Sequence, residues 1–197
     1  MNGLLNGKVC IMVYNEIIQG KTVRLRSIEE KDAEATYKMR TDPEKAQFVH
    51  AVSGTVEDQR EFIRKQRLKP DDYLFVVEDL QGRPIGMKGV YNLNRGKNEV
   101  ETGRFMGFGS QVQNIEALLL GFDFAFNILL VDRVLMSALD NNSVMLGIQK
   151  RFGVEFTYRD RSEGFMCDNV HSVLTREAYT MSRPKVMLLI DRFAERF

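Results

Sequence analysis

The chain has 197 residues, enough for one domain with a sizeable core and too few for two large ones. Its 28 Lys and Arg nearly balance 27 Asp and Glu, leaving a formal charge of +1, which removes the electrostatic argument for a nucleic-acid partner. Cys10 and Cys167 form no CxxC or other metal spacing, so no metal site is expected and reduced thiols are the default.

The opening MNGLLNGKVCIMVYNE has one lysine and a short apolar run broken by Asn and Glu. It lacks the length and small-residue cleavage pattern of a signal peptide, so the expected location is the cytoplasm. Lys8 to Ile18 is rich in Val and Ile, and Thr22 to Ile28 alternates Val23 and Leu25 against Arg24 and Arg26. With Gln19-Gly20-Lys21 as the turn, the two stretches predict an antiparallel pair. Ser27 and Glu30 have capping-box spacing for a helix to about Arg40, which Asp42-Pro43 stops. Phe48 to Gly54 reads as a loop, and Thr55 caps a second helix that turns Val56, Phe62 and Ile63 inward and ends before Pro70.

From Asp72 the pattern is β. Tyr73 to Glu78, Pro84 to Leu93 and Val100 to Phe108 read as three strands joined by the short polar turns at Gln81-Gly82 and Arg95 to Asn98, a meander. A helix follows from about Asn114 to Val131. Its polar positions Glu116, Asp123 and Asn127 fall in a stripe only ~40° wide at about 100° per residue, so it is buried on almost every side. The two acids interrupt the run and argue against a membrane span. Arg133 to Leu139 is a strand reached by a helical crossover and should lie parallel to the strand before that helix. Asn142 caps the next helix, Lys150 and Arg151 sit in its last turn, and Gly153 follows as its stop. Val154 to Arg159 and Ser172 to Thr175 complete the sheet. In the tail, residues 183–196, Val186, Leu189, Ile190 and Phe193 have helical spacing and predict a face packed on the domain or on a second copy in a homodimer.

The whole chain, residues 1–197, is thus expected to form one α+β/α/β domain with a mixed, mostly antiparallel sheet of about seven strands flanked by helices. Its core spans 22–175, with the strand of the opening hairpin at 8–18. That order of elements resembles the GNAT superfamily of N-acetyltransferases, near the branch acting on ribosomal-protein N-termini, amino sugars and aminoglycosides. TVRLRSIEEKDAEATYKMRTDPE is similar to the branch's opening strand and helix. PIGMKGVYNL and EVETGRFM resemble the third and fourth strands, with Glu101 and Gly103 in place. EALLLGFDFAFNILLVDRVLMSAL is similar to the helix and strand after the cofactor loop, and DNNSVMLGIQKRFGVEF to the closing pattern, with Val154 in place of the usual Phe.

The resemblance implies transfer of an acetyl group from acetyl-CoA to a primary amine on a small molecule. An amino sugar or sugar nucleotide is the first acceptor class, and a protein N-terminus the second. It implies that Glu101 takes the amine's proton through a water, against the plainer reading of an exposed or salt-bridged strand carboxylate. Glu99, on the same strand face, is the reserve. Met106, Gly107, Phe108 and Gly109 would give backbone groups to the pantetheine arm. Ser110, Gln113 and Asn114 would face the phosphates or simply cap the helix, and Asn142 could touch the pantetheine or only cap its own helix. Lys150 and Arg151 either reach phosphates or form a solvated helix end. Tyr91 and Tyr158 line a substrate pocket or fill the sheet. His50 and His171 lack ligand spacing, and the Phe122-Phe124-Phe126 cluster reads as core.

Two departures from the family pattern stand out. Ser110 and Val112 replace the glycines of the cofactor loop, and valine disfavours positive φ, so the phosphate cradle is expected to be reshaped or lost. Gln149 stands where many members carry a tyrosine acid, and it cannot donate a proton in that role. Both favour an alternative, a catalytically silent acyl-CoA-binding or scaffold protein.

Overall fold

The computed structural model describes residues 4–5, 8–9, 13–49 and 52–194. Among these residues five α-helices and ten strands follow in chain order. They are β1 (Leu4–Leu5), β2 (Lys8–Val9), β3 (Ile18–Gln19), β4 (Val23–Ser27), α1 (Ala33–Arg40), α2 (Val56–Gln66), β5 (Tyr73–Asp79), β6 (Pro84–Asn94) and β7 (Glu99–Gly107). Then come α3 (Gln111–Asp123), β8 (Arg133–Leu139), α4 (Ser143–Arg151), β9 (Glu155–Arg161), β10 (Asp168–Thr175) and α5 (Arg176–Ala194). Among the described residues β3 to β10 form one sheet of eight strands, in the order β3-β4-β5-β6-β7-β8-β10-β9. All neighbours are antiparallel except β7 and β8, which the α3 crossover makes parallel as predicted.

That parallel pair is short. Glu99, Val100 and Glu101 face Arg133, Val134 and Leu135, and no pairing follows. From Thr102 onward the two strands diverge, so a fork opens in the middle of the sheet.

The polar stripe of α3 is consumed internally. Glu116, 1% exposed, accepts from the amides of Lys21 and Thr22 at 2.6 and 2.7 Å, fixing the turn between β3 and β4. Asp123 accepts two bonds from the Arg183 guanidinium, both at 2.9 Å, and another from the Tyr179 hydroxyl, which ties α3 to α5. The rest of α3 lies in the main core with Val23, Phe75, Val90, Val100, Phe124 and Ile190. A smaller core of Ile28, Ala33, Ile63, Leu74, Val76, Met87 and Met106 fills the opposite face, beneath α1 and α2. No described helix is long and apolar enough to cross a membrane.

Several boundaries differ from the expected ones. Ser27 does not cap α1: its hydroxyl donates to the Tyr14 carbonyl, and the box is instead Glu29 with Asp32, whose Oδ2 accepts from the Glu29 amide at 2.7 Å. Of the long opening strand, only Ile18–Gln19 pairs with β4; residues 10–12 lie outside the described set, and 8–9 pair with 4–5. Helix α3 starts at Gln111 and its register widens to a π turn at Phe124–Ile128, where the Leu129 amide reaches back to Phe124. Helix α5 begins directly after β10 at Arg176 and carries Pro184 within it.

Candidate active site

The fork is lined on both faces of the sheet. On the side of α3 and α4 a cleft of about 490 Å³ is bounded by β7, residues 136–139 of β8, Asn114, Asn142, Met145 and Gln149. On the side of α1 and α2 a cavity of about 750 Å³ is bounded by Arg40, Phe62, Met87, Tyr91 and Phe165. The two share Phe48, Val49, Gly103, Arg104, Met106 and residues 137–139. They therefore meet through the fork.

The β7 segment of the site is built from backbone. Gly86 and Met87 of β6 pair with Gly107 and Met106, and the Phe108 amide donates to the Ile85 carbonyl at 2.8 Å. Strand alternation turns the Gly107 amide the other way, toward the open fork. The Met106 side chain is buried in the smaller core, so its contribution to the cleft wall comes with little freedom of movement. Gly107 leaves room for the Asn114 side chain: a Cβ on it would displace that side chain, which anchors the start of α3 by donating to the Gly109 carbonyl at 3.1 Å.

Ser110 and Gln113 form a reciprocal capping box. The Ser110 hydroxyl accepts from the Gln113 amide at 3.3 Å, and Gln113 Oε1 accepts from the Ser110 amide at 2.8 Å. Their side chains and those two amides are thereby engaged. The first helical amides, of Gln111 and Val112, have no carbonyl a turn earlier to bond and keep the positive end of the helix dipole open. Val112 needs no positive φ, because it sits in the first turn of the helix with its side chain against the main core. The substitution of the loop glycines therefore yields an ordinary capped helix start beside the fork, not a blocked one.

Asn142 lines the cleft and caps α4, its Oδ1 accepting from the Met145 amide at 3.1 Å. Arg151 stands exposed at the other end of α4, outside the cleft lining, as does Lys150. The cation near the α3 start is instead Lys45, which borders the cleft and lies over the Phe108 ring at 5.9 Å. Gln149 is buried, lines the cleft, and accepts from the Ser172 hydroxyl at 3.1 Å.

Glu101 is half-buried, and its side chain forms no ion pair or hydrogen bond with a described residue. It lies opposite Tyr91 of β6 and borders a smaller recess with Tyr91, Tyr158 and His171. That recess shares Tyr91 and Ser137 with the α1–α2 cavity. Glu99, on the same strand face, is held by Arg133 at 2.6 Å and lies where the strands are still paired. His171 stacks on Tyr158 with ring centroids 4.1 Å apart, and its Nε2 lies 3.0 Å from Asp160 Oδ1. His50 lies outside the described residues.

Arginines dominate the inner wall of the larger cavity, which the sequence pattern did not mark. Arg104 adopts φ of 50° at an irregularity in the β6–β7 register, stacks on Tyr91 at 4.1 Å and is paired with Asp72 at 2.6 Å. Arg40, at the end of α1, lies over the Phe62 ring at 5.5 Å and has no carboxylate partner among the described residues. Burial and the nearby Arg104 charge hold its pKa below the ordinary value. Arg161, Asp160 and Glu163 form a rim of mixed sign.

Residues 22–155 match the acetyltransferase (GNAT) domain family. A GCN5-related N-acetyltransferase from Brucella melitensis superposes with a TM-score of 0.76 at 15% identity, over 89% of this chain and 86% of that one. FdhC, a nucleotide-linked sugar GNAT, gives 0.75 at 18% identity over 87% and 96%. The spermidine N-acetyltransferase from Vibrio cholerae in complex with CoA and spermine gives 0.74 at 15% identity over 82% and 99%. No curated protein matches the chain in sequence. These structural likenesses establish the fold, and the family match spans more than half the chain. The protein belongs to the acetyltransferase (GNAT) domain family.

Proposed function

We propose that the protein transfers an acetyl group from acetyl-CoA to a primary amine on a small acidic molecule, with a nucleotide-linked amino sugar as the first acceptor class. The observation that carries this reading is the fork between β7 and β8, with a cleft on one face of the sheet and a second cavity on the other. Acetyl-CoA supplies an acetyl group activated as a thioester. On the α3–α4 side, the amide of Gly107 offers the pantetheine arm a strand edge, and the open amides at the start of α3 with Lys45 suit phosphate. On the α1–α2 side, Glu101 takes a proton from the amine through water. Arg40 holds a negative group of the acceptor, since a half-buried guanidinium without a carboxylate gains most from an anionic ligand. The same charge disfavours a polyamine acceptor.

The test is turnover of acetyl-CoA against a panel of nucleotide-linked amino sugars, free amino sugars, peptide N-termini and spermidine. Turnover is expected with the phosphate-bearing amines, falling ~10²–10⁴-fold in Glu101→Gln. Preference for spermidine or a peptide would refute the acceptor class. Coenzyme binding without turnover on any amine would favour the silent acyl-CoA-binding reading, which Gln149 supports by its engagement with Ser172.

A further inference from the structure

Lys88 projects from the middle of β6 into the interior and is 1% exposed. Its Nζ donates to the Thr102 hydroxyl at 2.7 Å, and that hydroxyl donates onward to the Gly89 carbonyl at 2.9 Å. The Phe122 ring lies 5.2 Å from Nζ. Among the described residues no carboxylate is paired with it. A buried ammonium with one hydrogen bond is costly, so an arrangement that keeps one calls for an explanation.

Its position supplies one. Thr102 is the first residue of β7 beyond the last pair with β8, so Lys88 is bonded to the residue at which the fork opens. Lys88 and Thr102 both line the cleft on the α3–α4 side, together with Gln149. Glu101, one residue earlier on β7, points to the opposite face. The site is also shaped for the lysine: a Cβ on Gly121 of α3 would occupy the place of Lys88 Cε, so only glycine lets the chain pass there. The groups packed against it from β5, β7 and α3 are Phe75, Thr102 and Phe122, all uncharged, and Met136, Ile148 and Gln149 of β8 and α4 add none. The charged groups of the cleft lining are Arg104, Glu44 and Lys45, and none of them pairs with it.

We propose that Lys88 is the catalytic acid of the transfer, donating a proton to the sulfur that leaves as the acetyl group moves, in the role that Gln149 cannot fill. This rests on the acetyl-CoA reading above. In each turnover one carbonyl–sulfur bond breaks and one carbonyl–nitrogen bond forms. The acceptor nitrogen loses a proton to Glu101 through water, and the sulfur gains one from Lys88. Lys88 leaves the step as a neutral amine and Glu101 as an acid, and both return to their starting states by exchange with water. Burial pulls the Lys88 pKa down to about 7, which makes its ammonium a ready donor near neutral pH.

The experiment titrates the thiol of coenzyme A bound to the wild type and to Lys88→Met, following thiolate absorbance, and adds single-turnover rates. Methionine keeps the length and apolar packing of the lysine stem. A cation beside the sulfur lowers the bound thiol's pKa by about 1–3 units relative to the variant, and relative to free coenzyme A. The transfer rate falls ~10²-fold or more in the variant, with KM for acetyl-CoA changed little. The comparison of bound with free coenzyme A needs only the wild type, so it decides the matter even if the variant does not fold. A bound thiol that titrates like the free one, an undiminished rate in Lys88→Met, or acetylation of Lys88 found by mass spectrometry would each overturn the assignment. Coenzyme A binding with an unshifted thiol would overturn it alone, whereas no binding at all would remove the acetyl-CoA reading with it.

Discussion

Arg40 and Arg104 stand in one cavity under different constraints, and the difference decides which is free to recognise a ligand. Arg104 is satisfied already, stacked on Tyr91 and paired with Asp72, which suits a wall of the cavity. Among the described residues Arg40 has only the Phe62 ring. Charge-assisted hydrogen bonds to phosphate are worth ~1.5–3 kcal/mol each, and 1.4 kcal/mol is tenfold in affinity. Arg40→Met should therefore raise KM for a phosphate-bearing acceptor roughly 10–100-fold. It should leave the melting temperature and KM for acetyl-CoA nearly unchanged, because no ion pair within the fold is lost. Steady-state kinetics with one acidic and one neutral acceptor measures this. Equal losses for both acceptors would mean that Arg40 shapes the cavity and does not read charge. Glu101 was open to proposal from the sequence because strand alternation and the family pattern agree on its face. Arg40 and Lys88 were not. Recognising them requires knowing that β7 and β8 part after Glu101, and no local spacing encodes that separation.

At the scale of elements, α3 shows how much a polar stripe discloses. Its three polar positions were visible by periodicity, yet their partners come from distant parts of the chain: the turn at Lys21 and Thr22, and α5. Glu116→Ala leaves the buried amide and hydroxyl of Thr22 and the Lys21 amide without an acceptor and unties β3–β4 from α3. With ~1–3 kcal/mol for each unsatisfied buried group, a loss of about 3 kcal/mol is expected. That corresponds to a fall of roughly 6–12 °C in melting temperature for a domain of this size. Thermal denaturation followed by circular dichroism would check it, and a change under ~2 °C would mean the turn finds other acceptors. Two of the boundaries that sequence reading misplaced share a cause. Ser27 and Ser110 both had capping geometry available. Ser110 used it, which moved the start of α3 three residues earlier, whereas Ser27 was drawn off by the Tyr14 carbonyl. Competition between a local cap and a tertiary acceptor is settled by the fold, not by spacing.

For the whole molecule, Lys88 couples the site to the stability of the fold, and pH shows the coupling. The unfolded chain holds this proton up to about 10.5, whereas the folded one releases it near 7. Between those values the unfolded state binds more protons, so stability rises with pH; below 7 both states are charged and the cost of burying the ammonium is carried in full. Several tyrosines act oppositely at higher pH. Burial raises the pKa of Tyr73, Tyr91 and Tyr179, the last to about 12 with help from Asp123, so folding weakens as the unfolded tyrosines ionise near 10. The contribution of Lys88 is therefore isolated by subtracting the Lys88→Met profile and stopping at about pH 9. The wild type should gain on the variant as pH rises from about 6 to 9, with a slope approaching 1.4 kcal/mol per pH unit above 7. Urea denaturation across that range gives the difference directly. Parallel profiles would mean that Lys88 keeps its proton in the folded state throughout, held by water or by movement toward the cleft. A gain that disappears when coenzyme A is bound would show the ligand's thiolate holding the proton on Lys88, the charge arrangement from which Lys88 gives its proton to the leaving sulfur.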